Sequence, residues 1–274
     1  MSSKRTAFFV SDGTGITSET LGHSMLSQFR GIEFEQVTLP YVISNETTHS
    51  VVEKINHACE RDGATPIVFS TLVNDEHREI LSRCKALVLD MFAAFLGPLE
   101  QELGVRSSHT VGQSHAIKDH EAYRIRIDAV HFALDNDDGA RTRHYHQADV
   151  ILIGVSRSGK TPTSLYLALQ FGLYAANYPL TEDDFDDLRL PDCLVPHKDK
   201  LFGLTINPDR LIAIRNERKA GSRYASARQC EMEIRALEAI YNKHNIPFMD
   251  ATDMSIEEIS TRILAAKGLK RRLQ

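Results

Sequence analysis

Short apolar runs alternate with helically spaced apolar positions along both halves of the chain. In the first hundred residues, stretches 7–10, 33–39, 66–70 and 86–90 read as strands. Between them, 17–28 sets Leu21, Met25 and Leu26 on one helical face, and 48–61 does the same with Val51, Val52, Ile55 and Ala58. Alternation of this kind implies a parallel sheet covered by helices.

From Gly104 to Gln147 the pattern weakens into Ser, His, Asp and Arg, with one helical or strand-helix piece over 123–134. A second alternation follows: strands at 150–153, 175–178, 201–206 and 247–249, and helices at 160–171, 208–219, 231–243 and 255–267. Pro208 suits the first turn of its helix, where its missing N–H removes nothing the helix would use. The expected fold class is α/β, an N-terminal parallel-sheet α/β domain followed by a P-loop kinase-like α/β domain. The expected boundaries are 1–105 for the first domain, 106–146 for a connecting segment and 147–274 for the second.

One segment carries specific chemistry. The run Val150-Ile-Leu-Ile-Gly-Val-Ser-Arg-Ser-Gly-Lys-Thr161 fits G-x-x-x-x-G-K-[ST], with an apolar strand before it and an apolar-faced helix after it. Gly154, Val155, Ser156, Arg157, Ser158, Gly159, Lys160 and Thr161 are therefore the expected nucleotide-phosphate loop. Glycines let such a backbone curl until its N–H groups and the helix N-terminus face phosphate oxygens. Lys160 would neutralise phosphate charge and Thr161 would offer its hydroxyl to Mg²⁺. Arg157 could contact phosphate or face solvent.

The partner acid is harder to find. No carboxylate ends a long apolar strand in the manner such loops pair with, so Asp250, Asp90 and the run Glu182, Asp183, Asp184, Asp186, Asp187 all stand as second metal ligands, each equally readable as a cap or loop carboxylate. For a proton acceptor we consider Asp12, in the glycine-bearing turn Ser11-Asp-Gly-Thr-Gly15, and the acids Asp135, Asp137 and Asp138 beside His131. A tight turn and a surface turn account for these two segments equally well. His144 and His146 lack a third metal ligand at a usual spacing.

Composition narrows the partners. Hydrophobic residues make up 42% and charged residues 25% of 274, ordinary for a globular chain. A net charge of −5 gives no general attraction to nucleic acid, and the basic stretch 267–272 reads as a solvated helix end. Four scattered cysteines without a C-x-x-C pair suggest free thiols. The apolar stretch 86–99 is interrupted by Asp90 and broken by Gly97-Pro98, and the N-terminal apolar run is too short for a signal peptide, so we expect a cytoplasmic protein that crosses no membrane. A symmetric homodimer is the expectation from base rates.

The loop region Gly154-Val-Ser-Arg-Ser-Gly-Lys-Thr-Pro-Thr-Ser-Leu-Tyr-Leu-Ala168, with Gln170-Phe-Gly and Ala175-Ala-Asn-Tyr-Pro179, resembles the bacterial phosphoenolpyruvate synthase regulatory proteins. Val10-Ser-Asp-Gly-Thr14, Leu21-Gly-His23, Thr38-Leu-Pro40, Phe132-Ala-Leu134, Asp137-Asp-Gly139, Leu201-Phe-Gly-Leu-Thr-Ile206 and Ser222-Arg-Tyr-Ala-Ser226 extend the resemblance over nearly the whole chain. It implies a bifunctional enzyme with phosphoenolpyruvate synthase as protein substrate. One activity is an ADP-dependent kinase that inactivates the synthase on a threonine; the other is a phosphorylase that uses orthophosphate to remove the group as pyrophosphate. Related regulators of pyruvate, phosphate dikinase carry S-R-T-S-K-T-P in the loop; Ser158-Gly159 here favours the synthase. The residues taken alone leave two other readings open, a small-molecule P-loop kinase using ATP and a noncatalytic ADP-sensing adaptor.

Overall fold

The structure, a computed structural model, describes residues 4–108, 120–185 and 188–273. The chain divides into two compact units, Met1–Ala116 and Ile117–Gln274.

The N-terminal unit runs β1 (Arg5–Val10), α1 (Ile16–Leu26), β2 (Phe34–Leu39), α2 (Asn45–Asp62), β3 (Ile67–Ser70), α3 (Asp75–Ser82), β4 (Leu87–Asp90) and α4 (Met91–Leu103). Its four strands are parallel in the order β2-β1-β3-β4. The inner strand β1 is covered on both faces, as the continuous apolar run from Ala7 requires: Phe8 and Val10 pack with Val51 and Ile55 of α2, Ala7 and Phe9 with Leu26 of α1 and Phe69. Helix α1 lies so close to the sheet that a Cβ at Gly22 would come within 2.4 Å of the Phe9 ring.

The stretch 86–99 departs from the reading as an apolar run broken by Gly97-Pro98. Asp90 ends β4 and accepts the Ala93 N–H at 2.8 Å, so strand turns directly into helix, and α4 continues through Pro98. The same carboxylate pairs with Arg78 at 2.7 Å.

The C-terminal unit contains α5 (His120–Asp135), 3₁₀ turns Asp137–Gly139 and Thr142–Gln147, β5 (Val150–Gly154), α6 (Lys160–Phe171), β6 (Ala175–Pro179), α7 (Glu182–Phe185), β7 (Leu201–Thr205), α8 (Pro208–Arg218), α9 (Ala227–His244), β8 (Phe248–Asp250) and α10 (Ile256–Lys267). Its sheet is again parallel, in the order β6-β5-β7-β8. Ile151 and Ile153 of β5 pack with Leu237 and Ile240 of α9; Val150 and Leu152 pack on the other face with Leu167, Ile259 and Ile263. Most of the expected 106–146 connection thus belongs to this unit: Ala129 and Ala133 of α5 are buried against Ala168 of α6.

The basic C-terminal stretch follows the end of α10 and is exposed at Lys270, Arg271 and Arg272, but it is also tied down by contacts. Arg272 pairs with Asp149 at 2.7 Å, Arg271 lies over the Phe171 ring, and Leu273 is buried. Among the described residues, no helix is long and apolar enough to cross a membrane.

Candidate active site

Strand β5 is fully buried and lies inside its sheet, with β6 on one side and β7 on the other. The connection from β5 leads to one neighbour and the chain later returns to the opposite one, so the carboxyl end of β5 is the switch point where α/β sheets leave a crevice. Residues 154–161 occupy that end. Tyr241 of α9 holds the crevice floor: its buried hydroxyl lies 2.8 Å from the Ile153 carbonyl and 3.3 Å from the Leu204 carbonyl.

The loop needs its glycines for two different reasons. At Gly154 there is no room, because a Cβ would sit 2.7 Å from both the Leu204 carbonyl and Ser158 Oγ. At Gly159 there is room, but φ is 87°, in the left-handed region that favours glycine. Arg157 also has φ 77° although it carries a side chain, a strained conformation that the surroundings must hold. They do so through Ser156. Its carbonyl accepts from Arg215 at 3.2 Å, and its hydroxyl lies 2.9 Å from Tyr224 Oη. Arg215 is itself almost fully buried, paired with Glu233 at 2.6 Å and stacked on the Tyr224 ring.

Lys160 is 4% exposed and folds back into the loop, donating to the Val155 carbonyl at 2.8 Å. Burial lowers its pKa to about 8, with the charges of Asp138 and Asp137 opposing the shift. Ser158 Oγ is buried without a partner. A loop with an enclosed ammonium, an unpaired hydroxyl and a following helix N-terminus fits a phosphate group by its donor set.

Thr161 Oγ1 donates to Asp137 at 2.8 Å. The acid reaches it because Asn177, fully buried on β6, clamps the 3₁₀ turn: its amide nitrogen donates to the Asp137 carboxylate and its oxygen accepts the Asp138 N–H at 3.0 Å. The turn then passes through φ 46° at Asp138 and 74° at Gly139. A hydroxyl and a carboxylate so placed, completed by water and phosphate oxygens, match the few protein ligands Mg²⁺ uses.

The other acids lie elsewhere. Asp135 pairs with Arg141 at 2.7 Å on an exposed surface and does not join the loop, and His131 is exposed. Asp250 accepts from the Thr252 hydroxyl and N–H in its own turn, and Glu182 accepts from Arg223 and Gln229. Asp184 caps Thr181; Asp186 and Asp187 fall outside the described residues. Asp12, in the N-terminal unit, is buried and accepts the Val73 N–H at 2.8 Å, tying the turn after β1 to the segment after β3. Among the described residues, no group of three His, Cys, Asp or Glu is placed to hold a metal by itself.

Arg215, Glu233 and Asn177 are site residues that the loop pattern alone does not find. The stretches 175–179 and 222–226, quoted above for their resemblance, contain Asn177 and Tyr224. Arg215 and Glu233 sit in ordinary-looking helices with no sequence mark of burial.

A kinase/pyrophosphorylase family model matches residues 7–264, and the chain belongs to that family, whose name describes phosphotransferases. A protein of Alcanivorax borkumensis is 76% identical over 271 residues, covering 99% of this chain and 100% of its own length. Proteins of Stutzerimonas stutzeri, 59% identical over 99% of this chain and 100% of their own length, and Acinetobacter baumannii, 60% over 98% and 97%, are similar throughout. All three carry the provisional name phosphoenolpyruvate synthase regulatory protein.

Proposed function

We propose that the protein is a bifunctional regulator of phosphoenolpyruvate synthase, an ADP-dependent threonine kinase and a phosphate-dependent pyrophosphorylase sharing one phosphate site. The observation that carries this reading is the enclosed Lys160 beside Thr161 and Asp137. The names of the full-length relatives and the Ser158-Gly159 loop variant support the synthase as target.

In the kinase direction the threonine hydroxyl oxygen attacks the β-phosphorus of ADP. The bond to the bridging oxygen breaks, AMP leaves, and the hydroxyl proton passes to solvent. In the other direction an orthophosphate oxygen attacks the phosphothreonine phosphorus, the bond to the threonine oxygen breaks, and pyrophosphate leaves while threonine regains its proton. Both reactions put a diphosphate in the loop, as product or as donor, and the backbone donors recognise phosphate oxygens rather than a base. Lys160 neutralises charge on the transferring group, and Mg²⁺, held by Thr161 and Asp137, would supply further charge stabilisation.

The test is pyrophosphate release from threonine-phosphorylated synthase. Release that requires orthophosphate and disappears in Lys160→Ala is the expected result; hydrolysis to orthophosphate, or no release, contradicts the proposal.

A further inference from the structure

Ser156 leaves the glycine loop to line a cavity of about 330 Å³ within the C-terminal unit, of the size that small-molecule sites occupy. Its other walls come from Leu180 and Thr181 after β6, from Tyr224, and from four charged side chains. Those charges cancel in pairs: Arg215 with Glu233 at 2.6 Å and Arg223 with Glu182 at 2.9 Å. Gln229 joins the two carboxylates by donating to both. A second phosphate subsite would present uncompensated positive charge; this cavity presents balanced charge, an aromatic ring, and carboxylate and amide groups suited to hydroxyls and an exocyclic amine. The buried Arg215 Nε, in the same wall, has no partner.

We propose that this cavity takes the nucleoside of the phosphoryl donor, a neutral sugar and base, while the glycine loop holds its diphosphate. The inference rests on the donor-site reading given above and adds a division of labour to it. The kinase direction begins with a nucleoside diphosphate, whereas the pyrophosphorylase direction begins with orthophosphate and ends with pyrophosphate, neither of which has a nucleoside. The cavity therefore serves one direction, and the loop serves both.

The experiment is calorimetric titration of the full chain and two variants with ADP and, separately, with pyrophosphate. Thr181→Trp fills the exposed mouth of the cavity, and Glu182→Ala unbalances its charge without touching the loop. Each is expected to weaken ADP by about tenfold or more while pyrophosphate stays within about twofold. ADP binding unchanged in both variants overturns the inference, and so does parallel weakening of both ligands, which would mean that the cavity acts only by supporting the loop. A wild-type protein that binds neither ligand contradicts the donor site itself, and the inference falls with it.

Discussion

Thr161 and Asp137, 24 residues apart in sequence, meet in a 2.8 Å hydrogen bond from hydroxyl to carboxylate at the start of α6. The acid comes from a 3₁₀ turn before β5, not from the end of another strand. This is why a search for an apolar strand ending in Asp misses it. Asp137→Asn preserves the shape and the bond to Thr161 but removes the negative charge. We expect the Mg²⁺-dependent part of pyrophosphate binding to fall by about 10-fold or more, since losing even a group that only orients a metal ligand costs about 10–100-fold. Titrations with and without Mg²⁺ check this; an unchanged Mg²⁺ effect removes Asp137 from the metal site.

Lys160 makes phosphate binding and stability respond to pH in opposite senses. Its pKa falls from 10.5 to about 8 on folding because the ammonium is buried. Below about pH 8 both states hold the proton and the folded protein bears the cost of burying charge, roughly 3 kcal/mol by the usual conversion. Between about 8 and 10.5 the unfolded chain binds more protons than the folded one, so stability rises with pH across that window. Pyrophosphate binding needs the ammonium and should weaken above about pH 8, with proton uptake on binding. Lys160→Met should abolish both trends. Denaturant unfolding and calorimetry in buffers of different ionisation enthalpy measure them; flat profiles in the wild type contradict the assignment.

Gly154→Ala adds a Cβ that would stand 2.7 Å from the Leu204 carbonyl and from Ser158 Oγ. Backbone cannot give way as a flexible side chain can, so β5 and β7 must separate or the loop must shift. A stability loss of about 1–3 kcal/mol, read as a lower melting temperature, should accompany loss of pyrophosphate binding. Retained binding would show that the loop does not need its present path.

Arg215 and Glu233 should behave as a buried pair. Glu233→Gln leaves the guanidinium charge uncompensated and is expected to destabilise by about 3–5 kcal/mol, whereas replacing both by apolar residues should recover part of the loss. Thermal unfolding of the single and double variants checks the order.

Asp12 accepts the Val73 N–H, so its oxygen matters to the turn whatever else it does. Asp12→Asn keeps an acceptor and should be near wild type in stability, while Asp12→Ala should lose about 1 kcal/mol, the low end of the penalty for an unpaired N–H because this one is only partly buried. Equal stability of both variants would remove the structural role.

The strands were legible because parallel strands buried on both faces read as apolar runs, as 150–153 and 7–10 do. The glycine loop was legible for a stronger reason: its spacing encodes backbone geometry directly. The α4 helix was obscured by Gly97-Pro98, since local propensity does not register the Asp90 cap that starts the helix. The Asp137 contact depends on Asn177, which belongs to a different element, and Arg215 is buried by partners on α9 and the 222–226 segment. Such tertiary choices leave no periodic trace, so sequence spacing grouped Asp135 with Asp137 although only Asp137 meets the loop.

The most direct test of the account is phosphoryl transfer to purified phosphoenolpyruvate synthase from ADP labelled in its β-phosphate, with Mg²⁺, using wild type and Lys160→Ala. Label on a synthase threonine, release of AMP, and loss of both in the variant are the expected results. No transfer from ADP, together with efficient transfer from ATP to a small metabolite, would contradict it.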